Sequence, residues 1–191
     1  MSHPVDRILC AAYDVFREEG VADGTMRSIA ERAGIGRATL YRYFPGKELV
    51  LEALVLREAR ELFALLDTEL GTGDEPGPLF ERGLLAALTY LRAHPLLQRV
   101  LRSEPQAILP LLTVQGAPLL EAAVDFATPY IERAVKEKRL APIDARAAAE
   151  WGARILLSLL LTPSVVVDLD DPQQVKAFVS WLTLTIQGAR T

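Results

Sequence analysis

Five cations lie within a short stretch, from Thr25 to Lys47, that carries a single acidic residue, Glu31. They are Arg27, Arg32, Arg37, Arg42 and Lys47. The local charge is therefore +4 (five positive minus one negative), although the 191-residue chain has a formal net charge of −4. Guanidinium and ammonium groups bind DNA phosphates and guanine edges, so this stretch is a candidate for binding nucleic acid.

Side chains for acid–base, nucleophilic or metal chemistry are scarce. The histidines are His3 and His94, the single cysteine is Cys10, and the acidic residues scatter at the intervals of helix surfaces. A catalytic site needs converging acids, bases or nucleophiles, and a zinc site needs clustered thiolates or imidazoles. We therefore expect no enzymatic activity, no metal and no cofactor.

The location of the protein is predicted from its cysteine and its apolar runs. A lone cysteine indicates a reducing compartment. The longest apolar stretch, residues 155–167, is interrupted by polar residues and proline. It is shorter than the roughly 20 residues that span a bilayer. We expect a cytoplasmic protein without a membrane partner, located at the nucleoid if it binds DNA.

Apolar residues recur at helical spacing along almost the whole chain, which predicts an all-α fold of nine or ten helices. The first helix covers Val5 to Glu19, and Gly20 ends it as a left-handed cap residue would. Thr25 is a suitable N-cap for a second helix ending at Gly34. A third helix follows from Arg37 to Phe44.

Two short helices joined by three residues have the arrangement of a helix-turn-helix, in which the second helix enters the major groove. On a helical wheel, Leu40 and Phe44 share the face directed at the first two helices. A small alanine on the other face permits close approach to bases, and hydroxyl groups donate to phosphates. The arginines there suit guanine or phosphate, and both roles remain open. The outward residues are Ala38, Thr39, Tyr41 and Arg42.

The segment from Thr25 to Leu49, above all TLYRYFPGKEL at 39–49, resembles the DNA-binding domain of the TetR family of bacterial transcriptional regulators. The resemblance covers about the first quarter of the chain. It implies a homodimer, usually a repressor, that leaves double-stranded operator DNA when a small molecule binds its C-terminal domain. The residues expected to bind DNA are Thr25, Arg27, Arg37, Ala38, Thr39, Tyr41, Arg42, Tyr43 and Lys47.

The chain is predicted to divide into a three-helix DNA-binding domain at 1–47 and a larger helical domain at 48–191 for ligand binding and dimerisation. Residues 1–47 carry seven positive and six negative charges, or +1, which leaves −5 on the remainder. The acidic balance thus lies away from the basic segment.

The middle helices are expected to enclose a cavity for a hydrophobic or aromatic effector. Aromatic and aliphatic residues provide its wall, and an arginine set among them could orient a ligand. The candidates are Phe80, Tyr90, Leu101, Phe126, Tyr130, Trp151 and Arg154.

The last two predicted helices are apolar on more than one face, which requires cover on more than one face. One face suits a four-helix interface with a second copy, although both helices could instead be interior in a monomer. The candidate interface residues are Leu156, Leu160, Phe178, Trp181 and Leu182.

Two other functions remain as alternatives. One is an all-helical small-molecule carrier or enzyme that retains a relic DNA-binding domain. The other is a helical adaptor without a ligand cavity or a basic face.

Overall fold

A computed structural model describes residues 3–71 and 79–187, and the side chains of 3–71, 80–171 and 173–181. These residues form ten α-helices and no strand, which confirms the all-α prediction. The helices are α1 (Pro4–Glu18), α2 (Met26–Ala33), α3 (Arg37–Tyr43), α4 (Lys47–Gly71), α5 (Leu79–Ala93), α6 (Pro95–Ser103), α7 (Pro105–Leu112), α8 (Ala117–Lys136), α9 (Ala145–Leu161) and α10 (Pro172–Gln187).

The ends of these helices follow local side-chain chemistry. Thr25 caps α2 and Asp144 caps α9, each by accepting a hydrogen bond from a backbone N–H three residues later. Gly20 and Gly34 adopt φ angles of +95° and +63°, a region that residues with a Cβ adopt at a cost. These caps lie where the sequence predicts them.

The chain forms two compact units. One is built within residues 1–61 and 93–119, and the other within 62–92 and 120–191. The chain thus leaves the first unit within α4 and returns to it for α6 and α7. The functional boundary at residue 47 stays a prediction.

The first unit is held together by an apolar core beneath the three N-terminal helices. α1 packs on α2 and on α6, and α3 packs on α2. Each fully buried aliphatic or aromatic side chain contributes about 1.5–3 kcal/mol relative to an exposed one. The largest buried residues are Ile8, Val15, Phe16, Ile29, Leu40, Val50 and Leu54.

The second unit contains two apolar clusters. Leu84 and Leu88 of α5 pack with Val175 and Val179 of α10. A second cluster is formed by Leu62 and Leu66 of α4 with Ala87 of α5. Among the described helices, none has by itself the length and apolar character of a membrane span. Taken together, α7 and α8 have the length and composition of a broken span.

Candidate functional site

Helix α3 turns one face inward and presents the other to solvent. Leu40 is fully buried and Phe44 is 9% exposed, as the helical wheel predicts. Arg37, Ala38 and Arg42 are exposed, and Tyr41 exposes 50% of its surface. Thr39 and Tyr43 are half-buried beside them. The structure therefore gathers six of the predicted DNA-binding residues on one short helix.

The cations of this surface are not electrostatically equivalent. Arg42 lies over the ring of Tyr43, with its guanidinium carbon 5.4 Å from the ring centroid. Among the described residues, neither Arg37 nor Arg42 forms an ion pair. The Arg27 Nε instead donates to Glu31 at 2.7 Å, and this hydrogen bond raises the pKa of Arg27. Arg37 and Arg42 can thus bind an anion without first breaking an internal salt bridge.

Thr25 has a structural task at the start of α2. Its hydroxyl accepts a hydrogen bond from the Ser28 N–H at 3.0 Å, and its own N–H donates to the Ser28 hydroxyl at 3.0 Å. This reciprocal pair is a capping box. DNA contact by Thr25 stays a prediction, and the side chain is exposed.

Lys47 has polar partners that the sequence did not indicate. Its Nζ donates to the backbone oxygens of Val21 at 2.6 Å and Ala22 at 2.9 Å. Glu104 accepts from the N–H groups of the same two residues, at 3.0 Å and 2.5 Å. Because Glu104 is 82 and 83 residues from its partners, no local pattern could have identified it.

The second unit contains a cavity of about 450 Å³ that is partly open to solvent. Four of the predicted ligand residues line it, namely Phe80, Phe126, Tyr130 and Trp151. The wall has two aromatic groups. Phe126 stacks on Phe63 at 4.7 Å between ring centroids and lies 5.2 Å from Tyr130, while Phe80 lies 5.5 Å from Trp151.

Three predicted ligand residues do not line this cavity. Tyr90 packs beside the cluster of Leu62 and Leu66. Leu101 lies on α6, which belongs to the first unit. Arg154 is exposed and pairs with Glu150 at 2.7 Å, because the two are one turn apart on the outer face of α9. Helical periodicity identified apolar positions here but could not assign them to a unit.

Tyr130 contributes the one ionisable side chain among the described lining residues. Its hydroxyl donates to Asp67. Burial, and then the hydrogen bond to this carboxylate, raise the pKa of Tyr130 to about 12. The cavity is therefore an apolar chamber with a neutral phenol on its wall.

The predicted interface residues occupy different environments. Leu156 is half-buried and lines the cavity. Leu160 is half-buried. Phe178 stacks near Trp181 at 6.3 Å, and Trp181 exposes 59% of its surface. The side chain of Leu182 lies outside the described residues.

Comparison with sequence families assigns both parts of the chain. The profile of "Bacterial regulatory proteins, tetR family" matches residues 8–54. The profile of "Bacterial Tetracyclin repressor, C-terminal domain" matches residues 79–184, which is more than half of the chain.

Two relatives match most of the sequence. An HTH-type transcriptional regulator of Mycobacterium tuberculosis is 32% identical over 165 residues, covering 83% of this chain and 75% of the relative. The HTH-type transcriptional regulator RutR of Escherichia coli is 31% identical over 137 residues, covering 72% of this chain and 64% of RutR.

Solved structures share the fold. The TetR family repressor AlkX from Dietzia sp. has a TM-score of 0.73 at 23% identity, covering 97% of this chain and 96% of AlkX. RolR in complex with resorcinol has a TM-score of 0.66 at 19% identity, covering 98% of this chain and 88% of RolR. The two profiles and the relatives agree with the predicted helix-turn-helix and indicate a non-enzymatic DNA-binding regulator. The chain belongs to the TetR family of bacterial transcriptional regulators.

Proposed function

We propose that this regulator is a homodimeric repressor that leaves its operator when a small, uncharged hydrophobic molecule occupies the cavity of the second unit. The observation that carries the proposal is the cavity itself: about 450 Å³ of space, partly open to solvent and lined by aromatic and aliphatic side chains. A drug-sized ligand needs a chamber of this order.

The chemistry of the wall supports an uncharged effector. No described lining residue carries a positive charge, so a carboxylate would lose its hydration without gaining an ionic partner. The paired aromatic rings favour flat or aliphatic ligands, and the Tyr130 hydroxyl offers one polar contact. The relative RolR is known in complex with resorcinol, a neutral aromatic molecule, which is compatible with this class.

Release of DNA follows a shift between conformations. An effector can move this equilibrium only if it binds more tightly to the conformation whose two recognition helices do not match the spacing of the DNA grooves. The exposed residues of α3 provide the DNA contacts in the other conformation.

The test is release of a fluorescein-labelled operator duplex by chemically matched probes. The duplex is selected from a random-sequence pool by the protein itself. We expect octanol and naphthalene to lower its fluorescence anisotropy, and octanoate to act only at far higher concentration.

Two substitutions make this test specific for the cavity. Ala127 lines the cavity, whereas Ala141 is exposed in the same unit and does not. We expect Ala127→Phe to keep DNA binding but lose release by the probes, and Ala141→Phe to keep both. Equal release from both variants would contradict a role for this cavity.

A further inference from the structure

The turn between α1 and α2 is held from two sides by side chains distant in sequence. The N–H groups of Val21 and Ala22 donate to the two carboxylate oxygens of Glu104 at 3.0 Å and 2.5 Å. The carbonyl oxygens of the same two residues accept from Lys47 Nζ at 2.6 Å and 2.9 Å. Two charged side chains therefore satisfy all four backbone polar groups of Val21 and Ala22.

The backbone of the α1–α2 turn forms a binding site for the Glu104 carboxylate. Two successive N–H groups aimed at one anion form a nest, and hydrogen bonds to an ionised group are shorter and stronger than neutral ones. Gly20 has a φ of +95°, and a methyl group at this position would collide with Glu104 Oε1. Val21 is buried beside it.

Both side chains are anchored by helices. Glu104 lies between α6 and α7, where its N–H bonds to the Val100 carbonyl at 2.8 Å. Lys47 is the first residue of α4. The turn they hold leads directly into α2, which packs on α3. In addition to the packing of α1 on α6, these four hydrogen bonds join the turn before α2 to the start of α4 and to the segment between α6 and α7.

We propose that Glu104 and Lys47 are positioning residues for operator recognition. They fix the α1–α2 turn, and through it the orientation in which α3 reads DNA. Lys47 does so with two of the three N–H donors of its ammonium group. The inference rests on operator binding as proposed above.

Three substitutions perturb the turn in different ways. Lys47→Met removes the ammonium and keeps an unbranched side chain that is one atom shorter. Glu104→Gln removes the carboxylate charge and leaves one acceptor oxygen for two donors. Gly20→Ala displaces the carboxylate without altering any charge. Glu61→Gln is the matched control, because it removes a carboxylate from an exposed position on α4.

The measurement is anisotropy titration, over a series of salt concentrations, of two labelled duplexes of about 30 base pairs, or three helical turns. One is the duplex selected by the wild-type protein, and the other is a scrambled duplex of equal composition. Saturating amounts of the selected duplex give the active fraction of each variant, so that loss of folded protein is counted separately from loss of affinity.

We expect each of the three variants to lose about 5- to 30-fold in affinity for the selected duplex, equivalent to about 1–2 kcal/mol. Affinity for the scrambled duplex should stay at the wild-type value. The salt slope, which is the slope of log affinity against log salt concentration, should also be unchanged. Every value for Glu61→Gln should equal that of the wild type. The Glu104→Gln, Lys47→Met double variant should bind the selected duplex no more weakly than the weaker-binding of the two single variants. The reason is that both substitutions act on the same turn.

Each other result overturns the inference. A fall in the Lys47→Met salt slope by about one, with equal losses on both duplexes, would make Lys47 a phosphate contact. Tighter binding of both duplexes by Glu104→Gln would show that the Glu104 carboxylate acts only by repelling DNA. If the ratio of the affinities for the selected and the scrambled duplex stays unchanged while the active fraction falls, both residues support folding only. Failure of the wild-type protein to select any duplex would instead contradict the proposed function.

Discussion

Tyr41 and Arg42 combine exposure on α3 with side chains suited to DNA. We predict that the Tyr41→Phe, Arg42→Ala double variant loses about 5- to 150-fold in operator affinity, since one well-made base contact contributes about 1–3 kcal/mol. Anisotropy titration against the selected duplex measures this loss, and unaltered affinity would contradict the assignment of α3 as the reading helix.

The same titration separates the two roles that the sequence leaves open for Arg42. If Arg42 contacts guanine, Arg42→Ala changes the sequence preference at one position. If it contacts phosphate, affinity falls equally for all sequences and the salt slope decreases by about one.

Tyr130 provides a test of the cavity wall by pH. Its pKa is raised from 10.0 to about 12 by burial and by the hydrogen bond to Asp67. Between these values the unfolded chain releases the proton while the folded chain keeps it. Folded-state stability supplied by this group is therefore complete below pH 10 and is lost as the pH rises towards 12.

Wild type and Tyr130→Phe are titrated to alkaline pH, and their ultraviolet absorbance is compared. The difference reports deprotonation of the Tyr130 phenol alone. We predict a midpoint near the raised value, and a lower midpoint in Asp67→Asn that still exceeds 10, because burial is the larger cause. A midpoint of 10 in the folded wild-type protein would show that the phenol is neither buried nor bonded to Asp67.

Individual residues also show the limit of sequence reasoning about the cavity. Phe80 and Trp151, which the sequence predicts to be ligand residues, line it. Leu101 does not line it, because α6 belongs to the other unit. Arg154 does not line it either, because it is exposed and pairs with Glu150. Periodicity distinguishes apolar from polar positions on a helix, but it cannot say which helices share a chamber.

At the scale of the helices, the ends were predictable because their causes are local. Thr25, Gly34 and Asp144 each act on backbone groups within a few residues. The bonds from Lys47 and Glu104 to the α1–α2 turn were not predictable, because they join segments separated by 25 to 83 residues. Packing of helices decides such contacts.

The turn between α2 and α3 offers a matched pair of glycine substitutions. Gly34 has a φ of +63°, whereas Gly36 has a φ of −68° that any residue adopts. We predict that Gly34→Ala lowers the free energy of unfolding by about 1–2 kcal/mol, the cost of a left-handed backbone with a Cβ.

Gly36→Ala is the control for this prediction. A methyl group there meets only the Thr39 hydroxyl, at 4.0 Å. We expect its free energy of unfolding to equal or slightly exceed that of the wild type, since alanine restricts the unfolded chain. Equal destabilisation of both variants in urea unfolding would show that the left-handed cap at Gly34 is not a source of stability.

For the whole molecule, the proposed dimer depends on α9 and α10. Trp181 exposes 59% of its surface beside Phe178, which suits an aromatic anchor between subunits. We predict that Trp181→Arg converts a dimer into a monomer at micromolar concentration, as measured by light scattering. Val114→Arg is the control, because Val114 is highly exposed in the first unit. A wild-type protein that is already monomeric would contradict the interface.

The central claim is that two copies of α3 read one operator. The most direct measurement is the mass and salt dependence of the complex with the selected duplex. We predict a palindromic sequence, two chains per duplex, and affinity that falls steeply as salt rises, because each phosphate contact releases counterions. Weak binding that is equal on every sequence, after refolding to remove any bound effector, would contradict the account.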